Sequence, residues 1–252
     1  KSLFLRAFGV KAAELKNKVI FDAGCGSGLL AIEMAESFGM EVVALDLAFG
    51  VEKAYEHNTN SFVHFLQGSV MEPPFRDRVF DFVYCAGVLV HCPNARDGLT
   101  SIMRTLKQSG RCFIWLYHPV DSKYHPHDWR KNAVHDWIRR NVTSRLPIRV
   151  QYLLYLALMP PFLVTQWIKR VLGRTRSQLT WREKMQNLFD SFSPVYRHTH
   201  TPEEAIQWFH QEGCAEAQVS YHERYGFGVR GSFTSSPQLL GEENIPSQGT
   251  GR

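Results

Sequence analysis

The 252-residue sequence has only five cysteines, and no two of them form a C-x-x-C pair. Cys25, Cys85 and Cys112 fall in predicted strands or in a glycine-rich loop, which indicates small buried thiols rather than disulfides or a zinc site. We therefore expect a cytoplasmic protein without a bound metal. No cleavable signal pattern stands at the start. Because the first residue is Lys rather than Met, the sequence leaves open whether an upstream segment is missing.

Acidic residues are scarce in one part of the chain. Residues 121–200 contain 14 Lys and Arg against 5 Asp and Glu, a balance of +9, whereas the remainder has 15 against 19, a balance of −4. Within this basic part, the nineteen residues 150–168 carry no charge at all. That length is compatible with a membrane span, but Pro160 and Pro161 at its centre and two glutamines argue against one. We expect two short helices hinged at the prolines.

The most informative stretch is residues 19–28, which reads Val-Ile-Phe-Asp-Ala-Gly-Cys-Gly-Ser-Gly. A short β-rich run ends at an acid, passes through Gly-x-Gly-x-Gly and enters a helical pattern. This combination predicts a strand, a glycine turn and a helix N-terminus, where a ligand can approach bare backbone. The dinucleotide-binding pattern requires a third glycine at the sixth position, where this sequence has Leu29.

Strand and helix patterns alternate up to about residue 118, which predicts a parallel sheet with crossover helices. The first 17 residues predict an amphipathic helix packed through Leu3, Leu5, Phe8 and Val10, and residues 94–108 predict a helix that ends before Gly110. Residues 119–200 interrupt the sheet with a helical segment. Thr201 and Pro202 then begin a further helix, and residues 215–221 and 227–233 predict an antiparallel closing pair. The tail, residues 235–252, is expected to be disordered.

Residues 18–118 resemble the core of a class I S-adenosylmethionine (SAM)-dependent methyltransferase, because five motifs occur in the order of that family. The first is the glycine loop; the others are residues 41–46, a strand ending in Asp46, and residues 62–70, 80–91 and 106–116. The resemblance implies a Rossmann-like, doubly wound, mostly parallel seven-stranded sheet with an antiparallel last strand and a helical insert after the fifth strand. We divide the chain into a SAM-binding core (1–118), the insert (119–200), the returning core (201–234) and the tail.

The resemblance also implies which residues bind SAM. Asp22 is expected near the methionine end and Asp46 on the ribose hydroxyls, since a carboxylate offers two acceptor oxygens. A bulky side chain at Gly24 or Gly26 would occupy the space of the ligand. Ser69 stands where the family commonly has an acid for the adenine amino group, so any hydrogen bond there is a weaker, neutral one. The complete predicted set is Asp22, Gly24, Cys25, Gly26, Gly28, Asp46, Leu47, Gly68, Ser69, Val70, Cys85 and Ala86, with Phe49 as a second apolar wall beside the adenine.

His91 and His118 follow the fourth and fifth strands, at the edge where open α/β sheets bind ligands. Either has an unperturbed pKa suited to a general base near neutral pH, and a base is needed only for an acceptor that keeps a proton. Both are therefore candidate catalytic residues. His125 and His127 have the spacing of a metal pair but lack a third ligand.

Four readings of function are weighed, and a nicotinamide-dependent dehydrogenase comes last because Leu29 stands where that class requires a glycine. The leading hypothesis is methyl transfer from SAM to a small or lipid-like acceptor, at oxygen, nitrogen or carbon. The basic insert suggests a nucleic-acid methyltransferase, although no Asn-Pro-Pro-Tyr motif follows the fourth strand and the insert is too apolar for a phosphate groove. Ser69 suggests a non-catalytic SAM-binding partner. The insert is read as a packed cover, as the wall of an apolar or anionic acceptor pocket, or as a peripheral membrane contact through residues 145–174. Neither the acceptor nor the oligomeric state follows from the sequence.

Overall fold

The computed structural model describes residues 2–48, 50–119, 129–171, 180–223 and 225–233. Its centre is one seven-stranded sheet in the order β3-β2-β1-β4-β5-β7-β6. The first five strands pair in parallel, and β7 runs antiparallel to both of its neighbours. The strands are β1 (Val19–Ala23), β2 (Glu41–Asp46), β3 (Val63–Gln67), β4 (Phe80–Ala86), β5 (Leu106–Tyr117), β6 (Glu216–His222) and β7 (Gly226–Ser232). The predicted fold class is confirmed.

Helices cover both faces of the sheet, and each face buries its own hydrophobic cluster. Phe21 of β1 points to one cluster and its neighbour Ile20 points to the other, because successive side chains of a strand face opposite sides. Strands buried on both faces read as nearly continuous apolar runs, which is why β1 and β4 were recognisable. The helices are α1 (Ser2–Phe8), α2 (Leu29–Phe38), α3 (Gly50–His57), α4 (Ala95–Arg104), α5 (Trp129–Asn141), α6 (Ile148–Val171), α7 (Trp181–Phe192) and α8 (Pro202–Gln211).

Two predicted helices end earlier than expected. The N-terminal helix is only α1, since Gly9 adopts a positive φ of 63°, and Leu3 is exposed whereas Phe8 and Val10 are buried. Helix α4 ends at Arg104 rather than near residue 108, because Leu106 already pairs with Phe80 in the sheet. The register then shifts, and Gly110 lies in the resulting irregularity of β5 rather than after a helix.

The predicted hinge at Pro160 and Pro161 is wrong, because α6 continues through both residues as a single 24-residue helix. A proline inside a helix leaves the carbonyl four residues earlier without its backbone donor. Pro160 and Leu156, whose carbonyl is affected, are both exposed, so water can satisfy that group. None of the helices that the structure describes combines the length and the apolar character of a membrane span.

The chain returns to the sheet as predicted. The Thr201 hydroxyl accepts a hydrogen bond from the Glu204 amide at the start of α8, with Pro202 in the first turn. Helix α8 packs against β6 and β7, the antiparallel closing pair. The predicted disordered tail lies outside the described residues.

Candidate SAM-binding and methyl-transfer site

A cavity of about 210 Å³ lies where β1, β2, β3 and β4 end, at the carboxyl edge of the sheet. Six of the predicted cofactor residues and His91 line it together. The full lining is Gly24, Asp46, Leu47, Gly68, Ser69, Val70, Met71, Val88, His91, Cys92 and Pro93. Sequence reasoning missed Met71, Val88, Cys92 and Pro93. All four are adjacent or near to predicted residues in the chain, but none has a side chain that signals ligand binding.

The three glycines between β1 and α2 all have positive φ, but they serve different purposes. A Cβ on Gly24 would come within 2.1 Å of Val88 Cγ2, and one on Gly28 within 2.4 Å of Phe65 Cε1. These two glycines are therefore required by packing. A Cβ on Gly26 would meet nothing within 4 Å. Only at Gly26 does the missing side chain leave open space next to the loop.

Asp46, at the end of β2, holds the glycine loop in place. Its Oδ2 accepts a hydrogen bond of 2.7 Å from the Gly26 amide, and its Oδ1 accepts one of 2.8 Å from the Ala48 amide. A carboxylate oxygen has a second lone pair, so both oxygens can still accept from a ligand hydroxyl. Leu47 beside it is 71% exposed, while Phe49 lies outside the described residues.

Asp22, the last polar residue of β1, is only 2% exposed. Among the described residues no hydrogen-bond donor reaches its Oδ2 atom. Burial, with a smaller contribution from the negative charge of Asp46, raises the pKa of Asp22 from 3.8 to about 7. A buried carboxylate oxygen without a partner destabilises the protein unless a donor or a cation compensates it. The position therefore fits the ammonium group of SAM.

The loop after β3 is fixed largely by its own backbone. The Gly68 amide donates to the Asp46 carbonyl, and the Ser69 hydroxyl oxygen accepts a 3.1 Å hydrogen bond from the Met71 amide. Ser69 can still donate its own proton towards the cavity. Its hydroxyl thus shapes the loop, and this turn was not foreseen when Ser69 was considered only as an adenine contact.

The other six predicted cofactor residues are not among those lining the cavity: Asp22, Cys25, Gly26, Gly28, Cys85 and Ala86. Cys85 is fully buried, and burial raises its thiol pKa. Burial raises the pKa of Cys25 as well, assisted by the charges of Asp22 and Asp46. Neither thiol is activated as a nucleophile.

His91 lies on the cavity wall with a defined tautomer. Its Nδ1 is 2.9 Å from the Tyr196 carbonyl oxygen, and a carbonyl only accepts, so Nδ1 must carry a proton. The other nitrogen, Nε2, is then the lone-pair acceptor in the neutral ring. Burial is the main cause of a lowered His91 pKa, which the charges of Arg197 and Arg139 and the nearby His198 reduce further and the hydrogen bond to Tyr196 partly offsets. The imidazole is neutral near pH 7.

His118 is placed apart from this cavity. It is 2% exposed, stacks on His222 with ring centroids 5.4 Å apart, and contacts Phe227. The structure thus brings only one of the two predicted catalytic histidines to the cavity wall. His125 and His127 lie outside the described residues, and no cluster of potential metal ligands occurs within the part that the structure covers.

Residues 194–200, which we call the strap, cross the ends of β4 and β5. The backbone amide of His198 donates to the Val90 carbonyl, and the ring Nε2 of His198 lies 2.9 Å from the Cys92 carbonyl oxygen. The backbone amide of His200 donates to the Tyr117 carbonyl. The Arg139 guanidinium, 1% exposed, donates to the carbonyls of Pro194 and Val195. The end of the insert is therefore held at the carboxyl edge.

Comparison with known proteins agrees with this geometry. Residues 21–114 match the family model described as "Methyltransferase domain". Residues 21–114 are therefore similar to a methyltransferase domain, as the motifs predicted, and they lie within the mostly parallel, Rossmann-like sheet.

Several curated relatives are methyltransferases. An O-methyltransferase of Aspergillus nomiae is 32% identical over 114 residues, which are 43% of this chain and 51% of that protein. The mitochondrial ubiquinone biosynthesis O-methyltransferase of Schizosaccharomyces pombe is 37% identical over 103 residues, covering 38% and 37%. The sterol 24-C-methyltransferase of the same yeast is 32% identical over 96 residues, covering 36% and 25%. This chain therefore spans about half or less of the length of these relatives.

Solved structures share the fold over most of the chain. A SAM-dependent methyltransferase of Methanosarcina mazei superposes with a TM-score of 0.52 at 17% identity, covering 87% of this chain and 94% of that one. Another, from Aquifex aeolicus, gives 0.50 at 15% identity and covers 92% and 93%. At such identities the similarity shows the fold alone.

Proposed function

We propose that this protein transfers a methyl group from SAM to a small-molecule or lipid-like acceptor. The single observation that carries the proposal is the buried Asp22 Oδ2, which has no donor among the described residues and lies in a methyltransferase domain. Asp22 would bind the ammonium group of SAM, and Asp46 would bind its ribose hydroxyls. The backbone at Gly26 would lie against the part of SAM between these two groups. The loop at Gly68 and Ser69 would contact the adenine. When bound, SAM supplies an electrophilic methyl group on a positively charged sulfur.

The relatives support this class of acceptor. One is named an O-methyltransferase of ubiquinone biosynthesis and another a 24-C-methyltransferase of sterols. Ubiquinone and sterols are apolar molecules, which is consistent with the uncharged residues 150–168 of the insert.

The proposal is tested by titrating the purified chain with SAM and, separately, with NAD in a calorimeter. We expect micromolar-scale binding of SAM and of its demethylated product, and no heat with NAD. Binding of NAD without any response to SAM would contradict the proposal. Steeply salt-dependent binding of RNA would favour the nucleic-acid alternative, and SAM binding with no turnover on phenolic, quinol or sterol acceptors would favour the non-catalytic one.

We assign His91 as the general base for a hydroxyl acceptor. Its Nδ1–H donates to Tyr196, so Nε2 is free to accept the acceptor's proton, and its lowered pKa keeps the ring neutral at working pH. A positioned base typically contributes 10²–10⁴-fold to the rate. This assignment favours O-methylation over methylation of a weakly basic nitrogen, because a hydroxyl keeps its proton at neutral pH whereas a nitrogen that is already unprotonated needs no base.

Replacing His91 by Gln should lower kcat for O-methylation about 100-fold or more, since the amide cannot accept and hold a proton. SAM affinity should change little. In the parent enzyme at saturating SAM, kcat should fall at acidic pH as Nε2 becomes protonated. The variant should not show this decrease of kcat at acidic pH. The measurement is a pH–rate profile of both proteins, with His118→Gln as a histidine control outside the cavity. An unchanged kcat in the His91 variant would remove His91 from the chemistry.

We further propose that residues 119–200 form the acceptor-binding insert between the core segments 1–118 and 201–234. The support is the strap, which ends this insert directly against His91 and Tyr117. An insert that leaves after β5 and returns before β6 has both ends near the carboxyl edge, where the methyl group would be transferred.

Peripheral membrane contact through residues 145–174 belongs to the same proposal. Helix α6 packs against α7 through Tyr155 and Met159, while large apolar side chains on the rest of its surface are exposed: Ile148, Val150, Tyr152, Leu153, Leu156, Leu158 and Val164. A helix that is apolar on nearly every side is normally buried. Between Asp136 and Glu183 the sequence has nine Lys and Arg and no acid, a balance that favours an anionic lipid surface over a second copy of the same basic surface.

Vesicle flotation tests this contact. Binding is expected to vesicles of phosphatidylcholine with phosphatidylglycerol and to be much weaker to phosphatidylcholine alone. The double substitution Leu153→Gln and Leu156→Gln should reduce binding about tenfold, from the lost burial of two apolar side chains. The matched control is Tyr55→Gln with Phe62→Gln, two exposed aromatics outside the insert. Equal flotation of all three proteins, or dimerisation lost only in the α6 variant, would reject the lipid contact.

The cytoplasmic location stays a prediction.

A further inference from the structure

The strap places Arg197 beside the candidate base in a fixed position. Its neighbours Tyr196 and His198 are both tied to the segment after β4, through the Tyr196 carbonyl to His91 and through the His198 amide to Val90. These contacts fix the backbone from which the Arg197 side chain leaves the strap, and stacking on Tyr117 restrains the side chain itself, so less freedom is lost when it binds a ligand. Arg197 is therefore pre-organised at the carboxyl edge.

The Arg197 guanidinium lies over the ring of Tyr117, with its carbon 5.0 Å from the ring centroid. Tyr117 in turn meets His91 edge-to-face at 5.9 Å, and His91 lines the cavity. The ring of Tyr117 thus lies between the charge of Arg197 and His91 on the cavity wall. Stacking on one face leaves the N–H groups at the edge of the guanidinium available in its plane.

Arg197 has no carboxylate within ion-pair distance among the described residues. By contrast, Arg96 pairs with Glu212, Arg104 with Asp77 and Arg139 with Asp136. Asp136 is the acid whose pKa Arg197 helps to lower. Its Oδ1 is already bonded to Arg139 and its Oδ2 to Arg140. Asp190, a second acid whose charge acts on Tyr117, has a pKa raised by burial and forms no ion pair with Arg197. A partly buried guanidinium next to the candidate site, without an ion-pair partner among the described residues, is suited to bind an external anion.

We propose that Arg197 binds an anionic group, a carboxylate or a phosphate, carried by the methyl acceptor itself. This inference rests on the proposed function and narrows the acceptor to an acidic molecule whose hydroxyl meets His91. The planar guanidinium fits both anions through two parallel hydrogen bonds. Acceptors without an acidic group are expected to be poorer substrates through KM.

Binding of the anion also has a consequence for His91. The positive charges that lower the pKa of His91 are those of Arg197 and Arg139, with His198 nearby. An anion on Arg197 offsets the first of these, so the pKa of His91 rises when the acceptor is bound. The base is then stronger in the complex than in the free enzyme.

The experiment uses benzoate, phenyl phosphate and neutral benzamide as probes. Each is titrated into the full chain after the chain has been saturated with the demethylated product of SAM. We expect benzoate, phenyl phosphate or both to bind with an affinity that falls at least tenfold in Arg197→Gln and less in Arg197→Lys, while benzamide is unaffected by either change. A response to only one anion identifies the acidic group. In the same samples, the NMR titration of the His91 ring should move to higher pH with the anion, and should not do so in Arg197→Gln.

The matched control is Arg76→Gln, an exposed arginine before β4 at the opposite edge. Equal anion affinity in the parent and in Arg197→Gln, or an equal loss in Arg76→Gln, overturns the proposal. Melting temperatures and SAM titrations of each variant distinguish failure of this inference from failure of the proposed function. If SAM binds but the affinity for the anion does not depend on Arg197, only this inference fails. If the parent chain does not bind SAM, the proposed function fails.

Discussion

Replacing Asp22 by Asn is expected to stabilise the unliganded protein at pH 8 and, at the same time, to weaken SAM binding. The carboxyl group is buried, one of its oxygens has no donor among the described residues, and its pKa is raised from 3.8 to about 7. At pH 8 the native protein therefore contains a costly buried charge, which the amide removes while keeping the size of the side chain.

The sign follows from proton linkage. The native state binds this proton more tightly than the unfolded chain, so the contribution of Asp22 to stability is complete below about pH 4 and is lost as the pH rises through about 7. We expect the free energy of unfolding of Asp22→Asn to exceed that of the parent by about 2–4 kcal/mol at pH 8, and to match it near pH 4. Urea denaturation at the two pH values measures this difference.

The same substitution should weaken SAM binding about 10–100-fold, the range for a lost hydrogen bond to a charged group. In the parent protein SAM binding should weaken below pH 7 and release a proton, which calorimetry in buffers of different ionisation enthalpy detects. The control is Asp81→Asn, because Asp81 accepts from the Val19 amide and from Lys107 and its loss should destabilise the protein at pH 8. A destabilised Asp22→Asn with normal SAM affinity would show that Asp22 is structural.

The second large effect separates two neighbouring glycines. Gly26→Ala should lower stability by about 1 kcal/mol, since its φ is +56° but the added methyl group meets no atom within 4 Å. Its SAM affinity should nevertheless fall more than about 100-fold, because the methyl group occupies the open space beside the loop. Gly24→Ala should instead destabilise the fold by about 2–4 kcal/mol, because its Cβ would lie 2.1 Å from Val88.

Thermal unfolding and SAM titration of both variants provide the measurement. The double variant Gly24→Ala with Val88→Ala should recover part of the stability lost by Gly24→Ala, since the clashing branches are then removed. Normal SAM affinity in Gly26→Ala would mean that the ligand does not approach this part of the loop. A more severe loss of stability in Gly26→Ala than in Gly24→Ala would contradict the packing assignment.

Features encoded within short stretches of chain were predictable. The strand β1, the glycine turn and α2 follow from hydrophobic patterning and from backbone conformations that only glycine adopts freely. The same holds for β2 ending in Asp46 and for the capped start of α8. Five such units in a known order were enough to identify the fold class and to predict the edge of the sheet where SAM is proposed to bind.

Contacts between distant parts of the chain were decided by the tertiary structure. It packed His118 against His222 and left His91 on the cavity wall, although both histidines follow strands in the same way. It bonded the Ser69 hydroxyl to its own loop, carried α6 through two prolines, and brought the strap across β4 and β5. The amino-acid sequence by itself determined most helices and strands and the candidate ligand edge, because these depend on residues within a few positions of one another. The roles proposed for His91, Asp22 and Arg197 depend on burial and on partners up to more than a hundred residues away, which no local pattern records.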